Sequence, residues 1–216
     1  MVIILSIRLK MKKIVIIDYG SGNLRSVEKA FQHVAGVTAA VEVTNKPATL
    51  KAATHIVLPG VGAFGDCAKG LREIVGMEEQ LNEQVITSKK PFLGICVGMQ
   101  LLADMGYEYG EHKGLGWING KVVKIEPKGN LPVPHMGWNT LDILQDNPIT
   151  KNISGDVYFV HSFHMQCAER NNLLATTDYG GAATAVVAKD NIFGVQFHPE
   201  KSQKNGLQIL ENFIKL

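Results

Sequence analysis

Cysteine is scarce in this chain, and where it falls excludes several classes of protein. Only three cysteines stand among 216 residues: Cys67, Cys96 and Cys167. The odd count argues against a disulfide framework, and the wide spacing matches no zinc pattern. A reducing cytoplasm is the expected compartment. Charge of one sign is also lacking. The 22 Lys and Arg against 20 Asp and Glu leave a formal charge of +2, too little to argue for nucleic acid or a membrane surface as partner. No apolar run is long enough to cross a bilayer. There is no internal repeat, charge block or low-complexity linker, so a single domain is expected. What remains is an ordinary globular profile, 45% hydrophobic and 19% charged, with enough chain to bury a substantial core.

Residues 1–10 are apolar but lack the basic start and small-residue cleavage site of a secretory leader. They are expected to form a peripheral tail, with an added edge strand as the alternative. The domain division that follows is an extension over 1–12 and a body over 13–216.

From there the first half alternates strand and helix patterns. Ile14–Ile17 reads as a buried strand. Leu24, Val27, Phe31 and Val34 share one helical face. Ala39–Val43 and His55–Leu58 are short strands, Gly60–Gly65 a glycine-rich loop, Leu71–Val85 a helix and Phe92–Ile95 a strand. Such alternation predicts an α/β fold with a mostly parallel central sheet flanked by helices. The second half is strand-rich: Lys121–Ile125, Val157–Met165, Leu173–Thr177, Ala183–Ala188 and Phe193–Phe197. These predict antiparallel β additions to the sheet. A helix over Leu207–Ile214 closes the chain.

The strand over 92–95 runs into Gly94-Ile95-Cys96-Val97-Gly98. A Gly-x-Cys-x-Gly between strand and helix is the thiol counterpart of the Gly-x-Ser-x-Gly turn of hydrolases. It pushes the central side chain out over a helix N-terminus, which activates a thiol and offers N–H groups to a developing oxyanion. The same pentapeptide is also compatible with a buried cysteine in a tight turn. A second segment, Val195-Gln196-Phe197-His198-Pro199-Glu200, alternates like a half-buried strand. Pro199 forces His198 into an extended conformation, so His198 and Glu200 are expected on one face. Read alone, this is a strand ending in a surface turn. Read with Cys96, it supplies a base and a group that orients the base, as triad chemistry requires.

Three further segments carry two readings each. Pro59-Gly60-Val61-Gly62 is either a plain strand-to-helix turn or a donor loop whose N–H at Val61 or Gly62 completes an oxyanion hole with Val97. No Gly-Lys-Ser/Thr follows, so it is not a phosphate loop. Tyr158–His164 is a strand with polar groups at its far end, where Ser162 is placed to meet a polar small substrate. By residue type alone, His161 and His164 read as structural, and their i,i+3 spacing does not suit a metal. No metal or cofactor is assigned. His135-Met136-Gly137-Trp138-Asn139 is either a protein interface or a core edge filled by tryptophan.

Together these segments resemble the class I glutamine amidotransferases. The resemblance spans about Lys13 to Leu216 and rests on Leu93-Gly94-Ile95-Cys96-Val97-Gly98-Met99-Gln100 and His198-Pro199-Glu200. Within the class, the chain is most similar to the glutaminase subunits of imidazole glycerol phosphate synthase, of histidine biosynthesis. That closer likeness rests on Asp18–Asn23, Pro59–Phe64, Gly114–Trp117, Val133–Asn139 and Phe197–Gln203. It implies that Cys96 attacks the carboxamide of L-glutamine, with His198 as base and then acid, and Glu200 orienting His198. It implies an oxyanion hole from Val61, Gly62 and Val97, and glutamine-binding positions at Gly62, Gln100, His161, Ser162 and Phe163. The ammonia would pass to a (β/α)8-barrel cyclase subunit, the partner in a heterodimer. Tyr158 and Lys201 match positions near the tunnel mouth, and Asn23, Met136 and Trp138 match the partner-facing side. In this family the Pro59–Gly62 loop is expected to turn its N–H away until the partner engages.

The chain departs from the family pattern at Asn119, where proline is common, and at Phe163, where tyrosine is common and a hydroxyl contact is lost. Residues 1–10 have no family counterpart. The competing readings are a glutaminase subunit of anthranilate or aminodeoxychorismate synthase, a cysteine peptidase or deglycase, and a catalytically silent barrel-binding scaffold. The Pro59–Gly62 loop, the His135–Asn139 segment and the His-Pro-Glu order argue against the first two, and an intact triad against the third.

Overall fold

A computed structural model describes residues 11–216. The tail expected over 1–10 lies outside the described residues. In chain order the elements are β1 (Lys12–Ile17), α1 (Leu24–Ala35), β2 (Ala39–Thr44), β3 (His55–Gly60), α2 (Phe64–Glu73), α3 (Met77–Leu81), β4 (Phe92–Cys96) and α4 (Val97–Gln100). Then come β5 (Met105–Gly106), β6 (His112–Lys113), β7 (Gly120–Lys124), β8 (His135–Thr140), β9 (Asp142–Ile143), β10 (Asp156–His161) and β11 (Phe163–Cys167). The chain finishes with β12 (Leu173–Asp178), β13 (Ala182–Lys189), β14 (Ile192–Val195) and α5 (Gln203–Lys215).

The main sheet has eight strands in the order β2-β1-β3-β4-β14-β13-β12-β9. The strands from β2 to β14 run parallel, and β13, β12 and β9 extend the sheet antiparallel. The parallel strands β3, β4 and β14 are buried along their whole length. This is why they read as continuous apolar runs rather than as alternation. Two smaller sheets, β10-β8 and β11-β7-β5-β6, stand beside the main one. Helices α1 and α5 meet through Phe31 and Phe213, edge to face with centroids 6.2 Å apart. Both rings are fully buried, each stabilising the fold by about 2 to 3 kcal/mol.

Four expectations change in detail. The helix over 71–85 is broken: α2 ends at Glu73, Val75 is 93% exposed, and Gly76 takes φ +81 before α3 begins. A left-handed glycine ends the helical path there. A π-helical stretch, Asn82–Thr87, then follows α3. The single strand over 157–165 is two strands that bend at Ser162 and enter different sheets, since β10 pairs with β8 and β11 with β7. The strand over 193–197 ends at Val195, and Gln196 through His198 are buried rather than half-exposed. The helix after Cys96 is a single turn. Strand β8 had no sequence signal of its own, because Pro134 and Gly137 interrupt its pattern.

Candidate active site

The sheet order sets the site. Strands β4 and β14 are parallel neighbours, with Ile95 opposite Val195. Their carboxyl ends therefore bring Cys96 and the 196–200 segment together, at the edge where open α/β sheets hold ligands. On the other side, Gly60 of β3 is the register mate of Cys96.

The Gly-x-Cys-x-Gly turn is tight for a measurable reason. A Cβ on Gly98 would lie 1.8 Å from the Leu58 carbonyl oxygen, and one on Gly94 2.4 Å from that of Gly98. Only glycine lets β3, β4 and α4 approach this closely. Cys96 itself takes φ +55 and ψ −114, a conformation costing about 1 to 3 kcal/mol, of the kind that clusters at functional sites.

Cys96, His198 and Glu200 converge as the sequence suggested, but by another backbone route. Glu200 does not continue an extended segment. It lies in a 3-10 turn, Pro199–Lys201, for which His198 is the N-terminal flank. That turn folds the carboxylate back so that Oε1 lies 2.9 Å from His198 Nδ1. Both side chains are almost wholly buried, at 4% and 1% exposure. His198 Nε2 is buried without a hydrogen-bond partner among the described residues. Burial alone would lower the proton affinity of this imidazole. The Cys96 sulfur and the Glu200 carboxylate outweigh it together, and the pKa is pushed up to about 9.

A cavity of about 310 Å3 opens beside Cys96. Its walls include Val61, Gly62, Val97, Gln100, His161, Ser162 and Phe163, all expected from the sequence, together with His198. Two of these residues make bonds of their own within the fold. Both ring nitrogens of His161 are engaged: Nδ1 lies 2.9 Å from the Phe163 carbonyl oxygen and Nε2 lies 3.1 Å from His135 Nδ1. It shapes the wall. Burial pushes its pKa down to about 3 and that of His135 to about 4. The Val61 N–H is not presented to the cavity, because it donates to Ser21 Oγ over 3.1 Å. Ser21 Oγ donates in turn to the Val61 carbonyl at 2.5 Å, and the Cys67 thiol lies 3.5 Å from the same oxygen. Burial raises the Cys67 pKa and keeps that thiol protonated. Val97 is the first residue of α4, so its N–H has no acceptor within the helix.

Sequence reasoning missed Glu108, Ser21 and Gln196. Glu108 lines the cavity and accepts the Phe64 N–H at 2.8 Å, capping α2. It sits in a short acidic loop with no motif around it. The residues expected to face a partner do not line the cavity. Met136 and Trp138 are 65% and 47% exposed on β8. Trp138 meets Tyr158 of β10 edge to face, and Lys201 Nζ lies 5.7 Å from the Tyr158 ring centre. Asn23 precedes α1, two residues beyond Ser21, and makes no side-chain cap. Among the described residues no group of His, Cys, Asp and Glu is placed to hold a metal ion, and no helix is long and apolar enough to cross a membrane.

Comparison with known proteins gives the same picture from a different direction. The model of the family "Glutamine amidotransferase class-I" matches residues 15–216. The chain is 48% identical over 212 residues to imidazole glycerol phosphate synthase subunit HisH of Agrobacterium fabrum, covering 94% of this chain and 98% of that protein. To the HisH subunit of Rhodopseudomonas palustris it is 50% identical over 211 residues, with the same coverage. Among solved structures, PurLQS from Thermotoga maritima superposes with a TM-score of 0.72 at 18% identity, covering 95% of this chain and 98% of that one. A structure described as a glutamine amidotransferase gives a TM-score of 0.71 at 18% identity, with 93% and 97% covered. At such identities these two likenesses speak for the fold.

Proposed function

Because the chain belongs to the class-I glutamine amidotransferase family, we propose that its cavity is a glutaminase centre built on Cys96, His198 and Glu200. The chain is an enzyme, the glutamine-hydrolysing subunit of an imidazole glycerol phosphate synthase, and acts in histidine biosynthesis. The observation that carries the site assignment is the parallel register of β4 and β14, which sets a strained, buried thiol beside an imidazole whose far nitrogen is held by a buried carboxylate.

In this reading His198 takes the Cys96 thiol proton on Nε2, and the thiolate attacks the carboxamide carbon of glutamine. The negative charge that develops on the carbonyl oxygen is met by the Val97 N–H and by a donor from the Val61–Gly62 loop. His198 gives its proton to the leaving nitrogen, and ammonia departs. A water then gives a proton to His198 and attacks the thioester carbon, releasing glutamate and restoring the thiol pair. Glu200 holds His198 in one tautomer, with Nδ1–H donated to the carboxylate. Glu108 is placed to pair with the α-ammonium of the substrate. Gln100, Ser162 and the Phe163 backbone form the opposing wall.

Ser21 gives the expected partner gating a physical form. While the Val61 N–H is bonded to Ser21, one oxyanion donor is withheld, and the loop must turn to release it. Asn23, two residues from Ser21, and the Trp138–Tyr158–Lys201 cluster flank the route by which a partner would act. The cluster reaches the triad through backbone: the His198 N–H donates to the Tyr158 carbonyl at 3.0 Å, and the Tyr158 N–H donates to Ser202 Oγ at 2.9 Å. The partner would be a (β/α)8-barrel cyclase in a heterodimer, and residues 13–216 would be the amidotransferase domain. Three free cysteines support a reducing, cytoplasmic setting.

The test is glutamate release from glutamine by this chain alone and mixed with its barrel cyclase and a ligand of that barrel. A slow rate alone that rises strongly in the mixture is expected. A high rate indifferent to the cyclase overturns the gating, and no release in either case overturns the glutaminase site.

A further inference from the structure

Gln196 is a fully buried side-chain amide between two apolar neighbours, Val195 and Phe197. A buried amide costs free energy unless its hydrogen bonds are made, so its partners are informative. It follows the Ile95–Val195 pair directly, which puts it abreast of Cys96. Its backbone is fixed there by donation from Gln196 N to the Ala185 carbonyl at 2.9 Å. Its Nε2 lies 3.7 Å from Cys96 Sγ, and its Oε1 lies 3.1 Å from Gln100 Nε2.

The direction of these bonds is set by one backbone carbonyl. Gln100 Nε2 also lies 3.0 Å from the Phe163 oxygen, which can only accept. The Gln100 NH2 group must therefore face Phe163, and its second hydrogen points at Gln196. Gln196 then has to present its oxygen to Gln100 and its NH2 to the sulfur. Turning either amide over would set oxygen against oxygen or NH2 against NH2. Gln100, anchored by its donation to Phe163, thus heads a relay of donors through Gln196 that ends on the reacting atom.

We propose that Gln196 is a further catalytic residue, whose side-chain N–H, aimed by Gln100, stabilises the anionic sulfur of Cys96 and fixes its direction of attack. This rests on the reading of Cys96 as nucleophile. A donor to an ionised sulfur is stronger than one to a thiol, so the Gln196 N–H favours the form of Cys96 that attacks. Because Gln100 and Phe163 also line the cavity, glutamine lying against that wall meets the same relay that orients the sulfur.

The experiment compares Gln196→Leu, which removes the donor, with Gln196→Glu, which keeps the shape and places an acceptor beside the sulfur. The pH dependence of Cys96 alkylation by iodoacetamide is followed by peptide-resolved mass spectrometry, so that Cys67 and Cys167 are read separately. Glutamate release is measured in the complex with the cyclase, and thermal unfolding shows that each variant is folded. In Gln196→Leu the alkylation midpoint is expected to move to higher pH. Its kcat is expected to fall roughly ten- to hundred-fold with KM little changed, as loss of a hydrogen bond to a charged group implies. Gln196→Glu is expected to move the midpoint further than Gln196→Leu, an order that a merely structural role would not produce. Unchanged midpoints and kcat in either folded variant overturn the proposal. Retention of glutamate release by Cys96→Ala, measured in parallel, overturns the nucleophile assignment instead.

Discussion

The Val61 N–H donates to the Ser21 hydroxyl over 3.1 Å, across 40 residues of chain, and this bond keeps a candidate oxyanion donor facing away from Cys96. Removing the hydroxyl frees the loop. Ser21→Ala is expected to raise glutamate release in the absence of the cyclase about five-fold, the value of one hydrogen bond near 1 kcal/mol, and to shrink the stimulation by the cyclase. Partner-free turnover equal to that of the native chain would refute the latch.

Cys96→Ala is expected to abolish glutamine-dependent synthesis in the complex while sparing ammonia-dependent synthesis by the cyclase. The comparison is made by following the cyclase product with each nitrogen source. Equal loss of both would mean that Cys96 acts in folding or docking.

Glu108 caps α2 through one carboxylate oxygen and borders the cavity. Glu108→Gln keeps an acceptor for the Phe64 N–H but removes the charge that would meet an ammonium. KM for glutamine is expected to rise roughly ten-fold with kcat little altered, as for lost binding of a charged group. Steady-state kinetics in the complex decide the matter, and an unchanged KM would remove Glu108 from the substrate site.

Trp138 is exposed beside Tyr158 and Lys201. Trp138→Ala is expected to weaken cyclase binding by about 30-fold, as for an aromatic anchor worth 2 kcal/mol, without changing thermal stability. Calorimetric titration of the two subunits measures it. An unaltered affinity would place the interface elsewhere.

Stability should depend on pH through buried histidines, His55 among them, pushed down to about 4 by burial. His161 and His135 are pushed down to about 3 and about 4, whereas an unfolded chain protonates both below about pH 6.5. Their contribution is complete above about pH 6.5 and is lost as pH falls toward 4 and below. His198, pushed up to about 9, has the opposite sign: its contribution is present below about pH 6.5 and lost as pH rises through about 9. Urea unfolding is expected to show a fall of roughly 5 kcal/mol from the His161–His135 pair between pH 6.5 and 4. A flat profile there would mean that the pair titrates normally in the fold.

The parallel core was legible because β3, β4 and β14 are buried on both faces and write their burial as unbroken apolar runs. The Cys96 turn was legible for a related reason, since its two glycines answer to contacts made close by along the chain and on the next strand. Ser162 was not legible as a break, because the residues on either side of it are equally strand-forming and only the choice of partner strand differs. Val75 extended an apolar pattern that the fold leaves in water. Ser21, Glu108 and Gln196 owe their roles to partners 40, 44 and 100 residues away, a separation that no local pattern encodes.

Strand β14 is the last strand of the chain, yet it sits in the interior of the sheet, between β4 and β13. A growing polypeptide at the ribosome therefore carries Cys96 for some hundred residues before the segment that brings Gln196, His198 and Glu200 exists. During that interval the thiol has neither base nor oriented donor, and the gap beside β4 stays open. With the triad proposed above, glutamine hydrolysis by this chain begins only after the sheet is closed, and a nascent molecule spares the cell's glutamine.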